Sequence, residues 1–342
     1  MPPTSSGSQP KAPRGDGGAF RLLVEPFHRE LRLHCYRMLG SSHDAEDAVQ
    51  ETLLRAWRSL EEFEGRASLR NWLYKIATNT CLNAITARKS MARLLPQDLS
   101  TAAQAFPKDP ATEIAWLEPH PDDPGDELDA ATPGPEARYE QHEAVRLAFV
   151  AALQYLPPRQ RAVLLLRDVL GWSASETARL LDTSIASITS ALQRARDTLS
   201  TRYDSTTHLT PPMPDERQRA LLDRYVSAWE AAELDAFVSL LTEDAILSMP
   251  PYREWYRGRD AIRGFFAWAW ARYDVEHGAF RLVPAAANRQ PAFALYNRRR
   301  DQGDYVAHSL QVLTLWDDHI AVLTNFKDPR LFEHFGLPEA LR

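Results

Sequence analysis

Cysteine is scarce in this sequence, which has two, Cys35 and Cys81, among its 342 residues. A disulfide framework is therefore excluded, and because both lie in apolar helical patterns, we expect small core residues in a reducing cytoplasm. Long hydrophobic runs are also lacking, since none approaches the roughly 18 residues that a membrane span requires. Residues 1–18 lack the apolar stretch of an export signal, and their Pro, Gly and Ser content predicts a disordered tail.

Acidic residues are missing from one segment, and this absence changes what the net charge of −6 implies. Between Gly65 and Gln97 there is no Asp or Glu, whereas Arg and Lys recur throughout. Acidic residues then greatly outnumber basic ones between Asp98 and Glu140. A basic segment followed by an acidic one predicts a surface that binds a polyanion, next to a tether that repels it.

Turn residues divide the chain into blocks of different pattern. Apolar residues at helical spacing predict all-α domains over 19–95 and 137–203, separated by an acidic, proline-rich linker over 96–136. Trp116 and Leu117 are predicted to form a short anchoring element within this linker. An α+β domain is predicted over 215–335, because helical patterns precede strand-like runs in an antiparallel meander. The predicted fold class is multidomain, with two all-α domains followed by an α+β domain.

The first helical domain contains an acidic helix followed by an acid-free helix. Taken alone, the acidic residues of the segment 44–57 are better explained by the preference of carboxylates for helix N-termini than by a binding function. The helix over 69–86 instead offers cations and amides, and we place Trp72 in its core while leaving the position of Tyr74 open. Cations next to planar groups are typical of proteins that bind single-stranded nucleic acid.

Two segments of this domain are Asp44-Ala-Glu-Asp-Ala-Val-Gln-Glu-Thr and Phe63-Glu-Gly-Arg-Ala-Ser-Leu-Arg-Asn-Trp. Together they resemble region 2 of the extracytoplasmic-function sigma factors. The resemblance implies that the first helix docks on the β′ clamp helices of core RNA polymerase. It also implies that the loop and second helix take one melted strand of the −10 element. The residues implied in polymerase binding are Asp44, Asp47, Gln50, Glu51 and Arg55. Those implied in −10 contact are Phe63, Arg66, Ser68, Arg70, Asn71, Lys75 and Asn79.

Residues 156–199 predict a helix-turn-helix. Ser173 and Glu176 fit a capping box at the start of a short helix, and Ser184 is a predicted N-cap for the last helix. That last helix is expected to bury Ile185 and Ile188 and to expose hydrogen-bonding side chains of the size that reads base edges. An ordinary helical hairpin is the alternative, since the motif has no unique residues.

This helix-turn-helix begins with Leu156-Pro-Pro-Arg-Gln-Arg, and Gln193-Arg-Ala-Arg lies near its end. These two segments resemble sigma region 4. The resemblance implies that the last helix reads a −35 element in duplex DNA and that this domain meets the β flap of the polymerase. The residues expected to contact the −35 element are Ser187, Thr189, Ser190, Gln193, Arg194 and Arg196.

The block from Asp215 resembles a SnoaL-like domain of the cone-shaped nuclear transport factor 2 superfamily. The resemblance rests on Leu221-Leu-Asp-Arg-Tyr-Val-Ser-Ala-Trp, Leu240-Leu-Thr-Glu-Asp-Ala-Ile-Leu and Tyr256-Arg-Gly-Arg-Asp-Ala-Ile. The segment 116–122 is similar to the linker of sigma factors that carry such an extension. Large aromatic residues either line a ligand pocket or fill the cone, and the candidates for a pocket are Tyr225, Trp229, Tyr252, Trp255, Tyr256 and His308.

The favoured function is a transcription initiation factor that is not an enzyme and needs no cofactor or metal. Its expected partners are core RNA polymerase, promoter DNA and an anti-sigma factor or small-molecule ligand, with no membrane. A helix-turn-helix regulator that acts without polymerase is one alternative, but it leaves the acid-free helix unexplained. A bifunctional protein with a ligand-binding or isomerase-like C-terminal domain is the other.

Overall fold

The computed structural model describes residues 17–63, 68–87, 92–122, 146–202, 215–273, 275–276, 278–298 and 303–342. Predictions for the tail up to residue 16, for Arg66 and for the linker beyond Asp122 lie outside these residues. The predicted fold class is confirmed, because two groups of helices are followed by a mixed sheet with helices packed against it.

Three helices form the first module, α1 (Gly17–Leu39), α2 (Ser42–Arg58) and α3 (Leu69–Ala87). The chain turns from α1 to α2 at Gly40, whose φ of +68° is a conformation that favours glycine. Ser41 then caps α2 by accepting a hydrogen bond from the amide of Asp44 at 3.1 Å. Leu31, Leu73 and both cysteines are fully buried between the helices, which agrees with the core role predicted for the cysteines.

The second module contains α4 (Leu147–Gln154), α5 (Pro158–Leu164), α6 (Ala174–Leu180) and α7 (Ile185–Arg202), with a π-helical turn over Leu165–Val169. The predicted capping box is confirmed, since the Ser173 and Glu176 side chains each accept from the other's amide. Ser184 also caps α7 as predicted. The prediction for Ile185 is wrong. It is 53% exposed because the first turn of α7 extends past the edge of the core.

The first two modules pack directly against each other through Arg161. This α5 side chain is 1% exposed and donates to the carbonyl oxygens of Met38, Gln154 and Leu156, the last two at 2.9 and 3.2 Å. Burial lowers its pKa to about 10. A buried guanidinium is stable only when such acceptors surround it, so Arg161 fixes α5 against the end of α1.

The C-terminal domain is a seven-stranded sheet with helices α8 (Asp215–Glu230), α9 (Leu234–Ser239) and α10 (Arg259–Arg272) on one face. A short helix, α11 (Arg330–His334), follows the sixth strand. The strands are β1 (Leu241–Ser248), β2 (Trp255–Arg257), β3 (Phe280–Ala287), β4 (Gln290–Asn297), β5 (Tyr305–Trp316), β6 (His319–Phe326) and β7 (Ala340–Leu341).

The strand order is β2-β1-β6-β5-β4-β3, with β7 paired to β5. Strands β3 to β6 form the predicted antiparallel meander, and Asp317 takes a positive φ in the hairpin turn between β5 and β6. Strand β1 lies outside this meander and joins β6 in parallel. Between these two strands the chain passes through β2, α10 and β3 to β5, so local turn signals do not reveal their pairing.

The two faces of this sheet belong to different cores. Phe293, Leu295 and Leu313 point towards α8–α10 and are part of the domain's own aromatic core. Their neighbours along the strands, such as Tyr296 and Val312, alternate to the opposite face and join the buried cluster of the helical modules. The sheet therefore closes its own domain on one side and packs against the helical modules on the other.

Residues 92–122 form a strap that runs between the first module and the C-terminal domain. Leu94 pairs with Trp116, so the predicted anchoring element is confirmed, and Phe106 stacks on Trp268 at 4.4 Å between ring centroids. The amide of Ala103 also donates to β2 at Trp255. The described part of the predicted linker is thus a bound segment rather than a free tether.

Asn288 joins three distant parts of the chain in one buried polar junction. Its Oδ1 accepts from the amide of His120 at 2.9 Å, and its Nδ2 donates to Tyr36 Oη at 2.8 Å. The Tyr36 and His120 rings stack at 4.6 Å, and the imidazole lies 2.9 Å from Ser42 Oγ. These contacts lock the strap between α1 and the β3–β4 turn.

Two buried histidines, His34 on α1 and His120 in this junction, make stability depend on pH. Burial lowers the pKa of His34 to about 3 and holds that of His120 well below 6.5, so the folded protein keeps both imidazoles neutral. The unfolded chain binds more protons below about pH 6.5, so this stability is full above that pH and is lost as the pH falls towards 3. We predict a falling thermal midpoint from about pH 6.5 downwards, with a shallower slope in His120→Gln. The matched control is His319→Gln, at the start of β6 and away from the junction. An unchanged slope in His120→Gln contradicts the assignment.

Candidate nucleic-acid interface

The outer face of α2 presents most of the residues predicted to bind polymerase. Asp47, Gln50 and Arg55 are exposed, and Glu51 holds Arg55 at 2.6 Å. Asp44 differs, because it is 7% exposed and pairs with Arg93 of the strap. The structure therefore brings four of the five predicted side chains onto one surface and places Asp44 beneath it.

Leu54 lies on the same surface and was missed by the sequence analysis. It is 51% exposed, one helical turn from Gln50 and Glu51. A large exposed aliphatic residue surrounded by polar ones has the arrangement of an interface anchor. Leu54 follows Asp47 by seven residues, which is about two helical turns. This spacing is the signal in the sequence that places Leu54 on the same face of the helix.

The predicted −10 residues lie on α3 and the turn before it. Phe63 packs on Trp72 at 4.9 Å, and Ser68 is exposed and caps the first turn of α3. The expectation for Trp72 is wrong, since its ring is half-buried, whereas Tyr74, whose position was left open, is 1% exposed. Trp72 rather than Tyr74 is thus the ring available at the surface.

The cations of α3 have partners within the chain. Arg70 binds Glu30 of α1 through two nitrogens at 2.7–3.0 Å, and Lys75 binds Asp182 at 3.0 Å. Asp182 lies in the turn of the helix-turn-helix, so a predicted −10 residue is paired with the predicted −35 module. Asn71 and Asn79 are half-buried on the same helix.

The last helix of the second module presents a continuous polar face. All the side chains predicted to read the −35 element are exposed there: Ser187, Thr189, Ser190, Gln193, Arg194 and Arg196. Gln193 bonds Asp197 at 2.9 Å, and Arg196 bonds Asp168 at 2.7 and 2.8 Å. Ile188 and Leu192 are buried behind them, so the polar face is free to enter a groove.

The C-terminal domain contains a cavity of about 1250 Å³ on the inner face of the sheet. Of the six candidate pocket residues, Trp229, Tyr252 and His308 line it. Burial and the charge of Lys327 lower the pKa of His308 to about 3.

The other candidates lie elsewhere. Tyr225 donates to Gln311 at 2.7 Å in the core, whereas Trp255 and Tyr256 donate to the strap at Ser100 and Ala105. Among the described residues, no group of His, Cys, Asp or Glu could hold a metal ion, and no helix is long and apolar enough to span a bilayer.

Family models match three separate parts of the chain. Sigma-70 region 2 matches residues 23–91, sigma-70 region 4 matches residues 146–199, and the SnoaL-like domain matches residues 222–323. These ranges contain the α2–α3 surface, the helix-turn-helix and most of the mixed sheet, respectively.

Individual relatives agree with this division. The ECF RNA polymerase sigma factor SigG of Mycobacterium tuberculosis is 45% identical over 344 residues, covering 98% of this chain and 88% of that protein. The ECF RNA polymerase sigma-E factor of Haemophilus influenzae is 29% identical, covering 55% of this chain and 89% of that protein.

Among solved structures, the extracytoplasmic-function sigma factor SigJ of Mycobacterium tuberculosis has the same overall fold. Its TM-score is 0.59 at 22% identity, covering 92% of this chain and 100% of that chain. The three matched regions and the near full-length relative place the chain in one family. It belongs to the extracytoplasmic-function RNA polymerase sigma factors, with a SnoaL-like domain behind sigma regions 2 and 4.

Proposed function

We propose that this sigma factor binds core polymerase through the exposed face of α2, contacts a melted −10 strand with α3 and reads a −35 duplex with α7. The observation that carries the proposal is the uniformly exposed, hydrogen-bonding face of α7, on a different module from the basic α3 helix. The β′ clamp helices are the proposed partner of α2, and the β flap is that of the second module. Run-off transcription with purified core polymerase tests the proposal as a whole.

We further propose that the free protein is closed and that polymerase opens it. Elements named −10 and −35 lie about 25 positions apart, which is roughly 80 Å along B-DNA. In the closed form Lys75 of α3 lies 3.0 Å from Asp182 at the start of the helix-turn-helix. One promoter cannot reach both faces at that separation, so initiation requires the two modules to move apart.

The C-terminal domain is proposed to modulate this opening without catalysis. The outer face of its sheet and the strap both contact the first module, so they stabilise the closed form. His308 is the cavity residue best suited to act as a base, but a pKa of about 3 makes it a weak one near neutral pH. An anti-sigma factor that binds the α2–α3 surface is a further proposed partner.

Leu54 tests the polymerase-binding surface. Leu54→Ala removes an exposed side chain, so we expect native stability but roughly tenfold weaker binding to core polymerase, as for an interface anchor. The matched variant Leu22→Ala changes a side chain of α1 that is 79% exposed and keeps native binding. Fluorescence anisotropy of labelled protein against core polymerase measures both. Equal affinities of Leu54→Ala and Leu22→Ala for core polymerase would show that α2 is not part of the interface.

Arg194 tests the helix-turn-helix. This exposed residue forms no hydrogen bond or ion pair with any described residue, and we expect Arg194→Ala to lower promoter-dependent transcript yield roughly tenfold. Binding to core polymerase remains native, because the change lies on the DNA-reading face. Arg257→Ala, an exposed arginine of β2, serves as the control. Native run-off yield from Arg194→Ala on a promoter that requires its −35 element contradicts the assignment.

Asn288 tests the proposed modulation. Asn288→Gly tolerates the φ of +56° but removes the side-chain bonds to His120 and Tyr36. We expect the open form to become more populated, so that the apparent affinity for core polymerase rises roughly three- to tenfold. Asp317→Gly is the control, because it replaces another positive-φ turn residue away from the junction. The proposal would be refuted if Asn288→Gly bound core polymerase with an affinity equal to or lower than that of the native protein.

A further inference from the structure

The cavity of the C-terminal domain is large enough to hold a small organic molecule. Its volume of about 1250 Å³ exceeds the range of roughly 300–1000 Å³ common for ligand sites. Aromatic side chains form much of the wall, contributed by α8, α10, β3 and the segments that follow α10 and β1. They are Trp229, Tyr252, Phe265, Phe266, Trp270, Tyr273 and Phe280. Flat rings on several sides favour an occupant with a flat apolar body.

Lys327 gives this apolar cavity a positive charge. Its ammonium makes no hydrogen bond or ion pair with any described residue, and its nearest aromatic contact is the Tyr252 ring at 6.0 Å. Desolvation by burial lowers the pKa of Lys327, which reflects the free-energy cost of keeping the charge there. An anion in the cavity would offset that cost.

One further polar group of the wall also lacks a partner. The Oδ1 of Asn325 is buried without a hydrogen bond among the described residues. Such atoms are rare in folded proteins because each costs free energy, and a bound molecule is one way to satisfy them. Asn325 and Lys327 are two residues apart along the end of β6, so their side chains share the inner face.

The charges around the cavity also favour an anion. Of the described lining residues, Arg298 and Lys327 are basic and Glu276 is acidic. Arg298 lies over the Tyr305 ring at 5.1 Å, towards the β3–β4–β5 side of the wall. The Lys327 side therefore combines a cation and an amide.

We propose that this cavity binds an aromatic organic anion, with Lys327 as its counter-ion and with Asn325 as a further hydrogen-bond partner. The anionic oxygen accepts from Lys327, and a ligand hydroxyl donates to Asn325. The flat body lies among the rings of α10 and β3. This binding does not depend on the proposed contacts with polymerase or promoter.

The test measures the affinity of the full-length protein for 6-hydroxy-2-naphthoate by isothermal titration calorimetry. The neutral 6-hydroxy-2-naphthamide has nearly the same shape and lacks the charge. We expect the carboxylate to bind roughly tenfold to a hundredfold more tightly than the amide, as a charge-assisted hydrogen bond implies.

Lys327→Gln is expected to abolish the preference for the carboxylate, whereas Lys327→Arg retains it. Lys108→Gln, at an exposed lysine of the strap, is the matched control and keeps native affinity. Circular dichroism melting checks that each variant folds. If Lys327→Gln does not fold, the proposal is tested by whether the native protein and Lys327→Arg both bind the carboxylate more tightly than the amide.

Equal affinity for acid and amide in the native protein overturns the proposal, and so does native carboxylate binding by folded Lys327→Gln. A protein that binds neither compound overturns it as well. Association with core polymerase is measured separately, so failure of this site and failure of the sigma function are distinguishable.

Discussion

The apolar outer face of the C-terminal sheet is the constraint on which the rest of the structure depends. A sheet with one face closed by its own helices still has a second face, and here that face carries Tyr296, Val312 and Phe326. Left in water these residues would form a large exposed apolar patch. The helical modules cover it, so the sigma regions and the SnoaL-like domain share one continuous core.

This shared core holds together the two sigma modules, which the proposed opening would move apart. Arg161 joins the first module to the second, and the Asn288 junction and the sheet join the first module to the C-terminal domain. The exposed Lys75–Asp182 pair contributes little by itself, since surface ion pairs are worth about 0–1 kcal/mol. In the proposed mechanism the buried contacts therefore set the balance between closed and open forms. Strand β6 lies between the cavity and the helical modules, because Asn325 lines the cavity while its neighbour Phe326 faces the helical modules.

Local chemistry explains why much of the fold could be predicted from the sequence. The capping box at Ser173 and the hairpin at Asp317 depend on residues within a few positions of each other. The parallel pairing of β1 with β6 and the contact of His120 with Asn288 depend on partners far along the chain, and no short pattern encodes them. The sequence also left open whether Tyr74 of α3 is buried. Tyr74 buries its ring while its hydroxyl reaches Glu30 at 3.3 Å, and this partner on α1 is not visible in the local pattern. The predicted contacts of individual side chains with DNA and polymerase stay predictions.

The distance between the two sigma modules tests the central claim most directly. Spin labels at Asn83→Cys and Ser200→Cys occupy exposed positions on α3 and α7, and the native cysteines are fully buried. Double electron–electron resonance on the free protein should give one short distance, which lengthens by several tens of ångströms when core polymerase binds, as the roughly 80 Å between promoter elements requires. A long distance in the free protein, or an unchanged distance in the presence of core polymerase, would contradict the account.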